Sequence, residues 1–315
     1  MLNLDSKDFK IMYELFLNSN QSISSISKKT EINKSVIKYR IKKLEKKGII
    51  QGYNIILNLQ KIQYRLYRLF ISLQYTSPGK EKEIISFFKE KKNTWEIETS
   101  NGKYDIILTI LIRNHEELFL YYKEIMDKFS SHFKIIAISE SYETFGFRSN
   151  INQENKQKNY SQKYKLDTID KKIIYFLNKN AKISIKDISK NLKISKPTIM
   201  LHIKKLIKDG IIENYSIMLD SKKVGFKRFL LRLSFVQYKK IDSIISYFNQ
   251  ISYVEEINKV IGEYHLELIL HTNTLEHFHA ILEDFRTKYA NEIKDYDYFI
   301  INKVHMNQGE SQVFK

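Results

Sequence analysis

The stretch Ile37–Tyr53, IKYRIKKLEKKGIIQGY, returns at Ile199–Tyr215 as IMLHIKKLIKDGIIENY. In each copy a helix rich in cations ends at a glycine and gives way to Ile-Ile. In copy one Ile37, Ile41 and Leu44 recur at i, i+4, i+7, and in copy two Ile199, Ile203 and Leu206 do the same. That spacing gives one inward face and leaves the lysines outside. Gly48 and Gly210 end the helices. The match extends outward without a gap. Residues 4–57 align with 166–219 at an offset of 162, with 27 of 54 positions identical. The chain therefore carries the same unit twice.

Each unit opens on an acidic turn, Leu4-Asp5-Ser6-Lys7-Asp8 and Leu166-Asp167-Thr168-Ile169-Asp170, where an Asp, Ser or Thr can cap a helix. A second helix follows Ser22 and Ser184, and a third starts under Asn33 or Ser195, with Pro197 in the first turn of copy two. Three helices with a tight turn before the last predict a helix-turn-helix. Beyond each unit the period changes. The pattern predicts strands at 67–75 and 229–237, helices near 80–92 and 240–250, and two strands joined at Gly102 or Gly262. Further helices near 115–130 and 274–290 and last strands near 132–145 and 295–306 complete it. This is β-α-β-β-α-β, a ferredoxin-like sandwich in an α+β chain. The expected domains are residues 1–60, a first helix-turn-helix, and 61–147, a first sandwich. A polar linker at 148–165, with an extended reach of about 60 Å, leads to a second helix-turn-helix at 166–222. The second sandwich covers 223–308, and 309–315 form a tail.

The net charge is +17. Residues 1–60 hold 11 Lys+Arg against 5 Asp+Glu, and residues 161–223 hold 15 against 6, so the two repeated units carry +15 of it. Charge sorted in this way is an electrostatic footprint for phosphates. There are no cysteines, which excludes disulfides, thiolate metal sites and a cysteine nucleophile. The longest strongly apolar run, Ile106–Ile112, is far short of the roughly 20 residues of a membrane span. The first residues carry acids and lack the apolar stretch of a signal peptide, so a cytoplasmic protein is expected. His277 and His279 lie two apart on an expected helix and do not share a face. No nucleophile motif, P-loop or dinucleotide fingerprint is present. The expectation is a protein that is not an enzyme and has neither cofactor nor metal.

On the third helix of copy one Lys34, Ser35, Lys38, Tyr39, Arg40 and Lys42 are the candidate DNA contacts. Lys38 and Tyr39 are placed for bases, Lys34 and Lys42 for phosphates. Lys196, Thr198 and Lys204 are the analogues in copy two. There Met200 and Leu201 replace Lys38 and Tyr39 and have two readings, contact with thymine methyls or packing against a neighbouring domain.

A helix-turn-helix followed by β-α-β-β-α-β resembles the Lrp/AsnC family of bacterial and archaeal regulators. The residues that carry the resemblance are Leu4-Asp5 with Asp8, Arg40 to Glu45 and Gly48-Ile49-Ile50, and Gly102 with Asp105. In copy two they are Leu166-Asp167 with Asp170, Ile203 to Leu206, Gly210-Ile211-Ile212, and Gly262. The resemblance implies winged-helix-like DNA-binding units and ferredoxin-like sandwiches of the RAM type. It also implies sequence-specific transcription regulation on double-stranded DNA. Family members dimerise, so the tandem copy implies an intramolecular pseudo-dimer with room for further homo-oligomerisation. A small effector such as an amino acid is implied at Gly102, Tyr104, Asp105 and Gly262. Copy two departs from copy one where His202 replaces Arg40 and His265 replaces Asp105. Two other readings stand beside this one. One is a DNA-organising protein without an effector. The other is a siroheme-decarboxylase-like enzyme of the same architecture, holding tetrapyrrole carboxylates through Arg65, Arg68, Lys227, Arg228 and Arg232.

Overall fold

The computed structural model describes residues 4–146 and 164–315. Apart from its last two residues, the linker expected at 148–165 lies outside the described residues. In chain order, copy one runs α1 (Ser6–Leu17), α2 (Ile23–Thr30), α3 (Lys34–Lys46), β1 (Ile50–Leu57), β2 (Arg65–Leu73), α4 (Pro78–Glu90), β3 (Thr94–Asn101), β4 (Ile106–Ile112), α5 (His115–Phe129) and β5 (Phe133–Gly146). Copy two runs α6 (Thr168–Lys179), α7 (Ile185–Leu192), α8 (Lys196–Lys208), β6 (Ile212–Leu219), α9 (Ser221–Val224), β7 (Lys227–Phe235), α10 (Ile241–Phe248), β8 (Val254–Ile261), β9 (Leu266–Thr272), α11 (Leu275–Lys288) and β10 (Ile293–Met306).

The chain divides into two compact units, each drawing on both copies. Of the described residues, the first comprises 4–62, 164–225 and 314–315, and the second 63–146 and 226–313.

In the first unit the caps are those the acidic turns offer. Asp5 and Asp167 each close a capping box, with Asp8 and Asp170 reaching back to the cap N–H. Ser22, Ser184, Asn33 and Ser195 cap the second and third helices. Gly48 and Gly210 follow the third helices at φ +62° and +65°, the left-handed region that glycine enters without Cβ strain. β1 and β6 were not anticipated as strands. They pair antiparallel, with Tyr53 opposite Ile217 and Ile55 opposite Tyr215, and form a two-stranded ribbon. A bare ribbon is at best marginal in water. Here α1 packs on β6 and α6 on β1, so each copy's first helix covers the other copy's strand. Reciprocal hydrogen bonds complete the exchange. Ser19 N–H donates to Tyr215 O at 2.9 Å and Ala181 N–H to Tyr53 O at 2.8 Å. Asn58 N–H donates to Ile211 O and Asp220 N–H to Ile49 O, both at 2.9 Å.

In the second unit each sandwich has the strand order of a ferredoxin-like sheet, β3-β4-β2-β5 and β8-β9-β7-β10. Residues two apart share a face of a strand. Tyr67, Leu69 and Ile71 of β2 therefore join α4 and α5 in one core, and Phe229, Leu231 and Leu233 of β7 join α10 and α11 in another. The intervening residues turn the other way. Phe70, Tyr104, Ile107, Leu230, Ile269, Phe299 and Ile301 form a third core drawn from both copies. β4 is buried throughout its length, since it has apolar partners on both faces. Antiparallel seams β5–β8 and β10–β3 join the sheets into a closed eight-stranded barrel. Among the described residues closure leaves the barrel itself no free strand edge. Residues 309–315, expected as a tail, bury Val313 and Phe314, and Ser311 Oγ donates to Thr94 O at 2.6 Å.

Candidate nucleic-acid interface

α3 buries Ile37, Ile41 and Leu44 and exposes Lys34, Ser35, Lys38, Tyr39 and Lys42. Tyr39 is 67% exposed, which leaves its ring and hydroxyl free to meet a partner. α8 buries Ile199 and Leu206 and exposes Lys196 and Lys204, with Thr198 half-buried and 2.8 Å from Ser195 through their hydroxyls. Ile203, expected to face inward, is half-buried. Met200 and Leu201 are 46% and 67% exposed, so neither packs against a neighbouring domain among the described residues.

Arg40 stands apart from the other candidates. Its guanidinium donates to Asp5 at 2.6 Å and to Asp8 at 2.8 Å, which binds α3 to the capping box of α1. Those pairs raise the guanidinium pKa further. The expected DNA contact is thus already engaged as an internal tether. In copy two His202 takes the same place, with Nδ1 2.7 Å from Asp170 and 3.9 Å from Asp167. These three side chains have ligand atoms within 4.8 Å of one another, a spacing that could hold a metal. In copy one the equivalent place is filled by the Arg40 ion pairs.

Two lysines fix the far ends of the helices. Lys223 donates to Lys47 O at 3.2 Å and Gly48 O at 3.3 Å, and Lys61 donates to Asp209 O at 2.8 Å. Each cation sits at the carbonyl end of the other copy's third helix, where the helix dipole is negative. Glu45 of α3 accepts from Tyr53 Oη at 2.5 Å and pairs with Lys182 at 3.1 Å. Ile207 occupies the position of Glu45 in copy two, so that pairing has no counterpart there. Sequence reading missed the roles of Lys61 and Lys223. Their common offset of 162 was the available signal, and the acceptors were not visible without the ribbon.

The second unit holds the effector candidates. Gly102 adopts φ +127°, as expected for a turn glycine. Gly262 does not enter that region. An added Cβ there would come 3.1 Å from Ile138 O, so the close approach favours the glycine. Tyr104, only 1% exposed, sits in the core between the sheets, and Asp105 accepts from the Leu73 N–H at 2.7 Å. The Arg232 guanidinium stacks against the rings of Tyr264, Phe70, Phe299 and Tyr104, 4.2 to 5.4 Å from their centroids. It also donates to Asp297 at 2.9 Å.

Two further arginines lie inside the barrel. Arg68 pairs with Glu256 and Glu267, both at 2.8 Å. Arg228 pairs with Glu96 at 3.0 Å and Glu98 at 2.6 Å, and a register shift in β8 brings Glu255 within 3.7 Å of it. Burial pushes the Glu98 carboxyl up to about 8 despite Arg228, with Glu96 adding to the rise. Glu255 is held down at about 2, because Arg228 and His271 together outweigh its burial.

Among the described residues no helix is long and apolar enough to cross a membrane. A family model described as winged helix-turn-helix DNA-binding matches residues 4–51 and again 166–213. The siroheme decarboxylase NirDL superposes with a TM-score of 0.64 over 98% of this chain and 97% of its own, at 12% identity, which is a likeness of fold. An uncharacterized HTH-type transcriptional regulator of Pyrococcus furiosus is 29% identical over 147 residues, 45% of this chain and 97% of the relative. The HTH-type transcriptional regulator LrpA of Pyrococcus horikoshii is 33% identical over 115 residues, 36% of this chain and 80% of LrpA. With two helix-turn-helix units, two ferredoxin-like sandwiches and that degree of identity, the chain belongs to the Lrp/AsnC family of transcriptional regulators.

Proposed function

We propose that this regulator binds specific DNA sequences as a single-chain pseudo-dimer, and that a small effector such as an amino acid modulates it. The observation that carries the reading is the β1–β6 ribbon with its reciprocal hydrogen bonds. A ribbon that uses one strand from each copy fixes two basic third helices as a pair, which suits two half-sites on one face of a duplex. Lys34, Ser35, Lys38, Tyr39 and Lys42 supply the contacts of copy one, and Lys196, Thr198 and Lys204 those of copy two. Arg40 acts by holding α3 in place. The effector region centres on Gly102, Tyr104, Asp105 and Gly262. Because Tyr104 and Asp105 already have partners, an effector there competes with the Arg232 cage or binds the turn backbone. An amino acid that changes duplex affinity would support that part.

The test is duplex affinity against salt. If each unit neutralises a few phosphates, the slope of log K against log salt is about −4 to −8, with one chain per operator by light scattering. Affinity that is flat up to physiological salt overturns the reading. Equal affinity for all sequences replaces it with a DNA-organising role.

The fold likeness to NirDL gives the enzyme reading a specific basis. Against it, four of the five cations it would use already face protein carboxylates. Arg65 pairs with Glu140, and Arg68, Arg228 and Arg232 are engaged inside the barrel. Breaking the buried pairs of Arg68, Arg228 and Arg232 costs about 3–5 kcal/mol each, whereas the half-exposed Arg65 pair costs little. A Soret shift on mixing the protein with a polycarboxylate tetrapyrrole would favour the enzyme.

A further inference from the structure

We infer that Met200 and Leu201 read thymine methyl groups, so that the two half-sites of the operator are chemically unlike. The inference rests on the DNA-binding reading above. Both side chains stand where Lys38 and Tyr39 stand in copy one, and all four are exposed. The inward face of α8 keeps Ile199 and Leu206 buried, with Ile203 half-buried, so the helix is seated much as α3 is. Two adjacent exposed aliphatic side chains gain from an apolar surface that covers them. Their flanks say what kind. Lys196 lies one turn before Met200, and Lys204 lies three residues beyond Leu201, both exposed. An apolar pair between cations fits a polyanion that carries apolar groups at intervals. In the major groove the thymine C5-methyl is that group. Met and Leu side chains have neither a donor to offer nor a strong acceptor, so they cannot sort bases by hydrogen-bond pattern. They can only gain from burying methyls. Lys38 and Tyr39 carry donors and can sort bases by their acceptors.

The intact chain is used to enrich random-sequence duplexes long enough for two half-sites a helical turn apart. Deoxyuridine then replaces thymidine in one half-site at a time, which removes the methyl and leaves every hydrogen-bonding group. At the free energy of one buried methylene, each covered methyl is worth about fourfold in affinity. Substitution in one half-site should therefore weaken binding about 4- to 15-fold, and in the other by less than about twofold. Met200→Ala with Leu201→Ala should abolish the difference while duplex binding persists. Met200→Lys with Leu201→Tyr should abolish it while restoring affinity through new donors. Uracil sensitivity that is absent, or unchanged in the alanine variant, overturns the inference. So does an alanine variant that keeps its sensitivity but loses self-association, which would mark a protein-docking surface. If the intact chain binds no duplex at all, the regulator reading fails and this inference falls with it.

Discussion

Copy one ties α3 to α1 through Arg40 between two aspartates, and copy two ties α8 to α6 through His202 against the same pair of acids. Lys61 and Lys223 cap the helices reciprocally, and the ribbon bonds come in matched sets. The outer faces of the two helices differ. Lys38 and Tyr39 project from one, Met200 and Leu201 from the other. Apart from the Glu45–Lys182 pairing, what holds the pair together is thus kept in both copies, while what the pair presents outward is not. A homodimer cannot separate these two properties, because each substitution appears on both sides. Covalent duplication frees the outer faces to diverge while most of the shared frame stays matched.

The largest effect expected from this comparison is on sequence discrimination. Replacing Lys38 and Tyr39 with Ala should cost about 1–3 kcal/mol for each base no longer read and relax preference in one half-site. The same change at Met200 and Leu201 should cost less specificity, since covering a methyl is less selective than a hydrogen bond. Binding across a panel of single base-pair changes measures both, and equal losses would break the asymmetry.

The tethers come next. Arg40→Ala leaves Asp8, 2% exposed, without its cation, and should destabilise the first unit by about 2–3 kcal/mol. His202→Ala should cost roughly half as much, since the imidazole makes one close pairing where Arg40 makes two. Urea midpoints at fixed m separate the two, and a larger loss at His202 would reverse the ranking.

The smallest effect contrasts Glu98 of β3 with Asn258 of β8, which stand four residues before Gly102 and Gly262. Asn258 is satisfied by Ser141, Thr144 and Glu256 without titrating. Glu98 titrates at about 8 when folded, against 4.5 as its ordinary value. Its contribution to stability is therefore fully present below pH 4.5 and is lost as pH rises through 8. Glu98→Gln should flatten that part of the pH profile and raise Tm at pH 8 by about 2–4 °C per kcal/mol regained. A thermal melt series from pH 5 to 9 checks it. An unchanged slope would mean that Glu98 is ionised throughout.

Much of the fold was legible because its signals are local. Caps at Asp5, Asn33, Ser184 and Ser195, the turns at Gly48 and Gly210, and the apolar spacing of α3 all lie within one or two turns of chain. The β-α-β-β-α-β order followed from period changes alone, with β2 and β7 beginning and ending two residues earlier than expected. Candidate DNA-binding side chains were legible as residue types, and their exposure agrees for Lys34, Lys38, Tyr39, Lys42, Lys196 and Lys204. Arg40, a candidate DNA contact, and Tyr104, a candidate effector residue, both turn toward partners distant in sequence. Arg40 reaches acids 32 and 35 residues away, and Tyr104 meets Phe299 and Arg232 from the other copy.

The sequence by itself determined the duplication, the helix-turn-helix, the sandwich order and the sorting of charge, because each is written in composition or short-range periodicity. Only the tertiary structure decided that Ile50–Leu57 pairs with Ile212–Leu219 and that two sheets close into one barrel around Arg68, Arg228 and Arg232. An eight-residue segment with apolar residues among polar ones states that part of it must be covered, but not by what. Strand pairing uses the backbone groups that every residue has, so the choice of partner follows from which arrangement buries all faces at once.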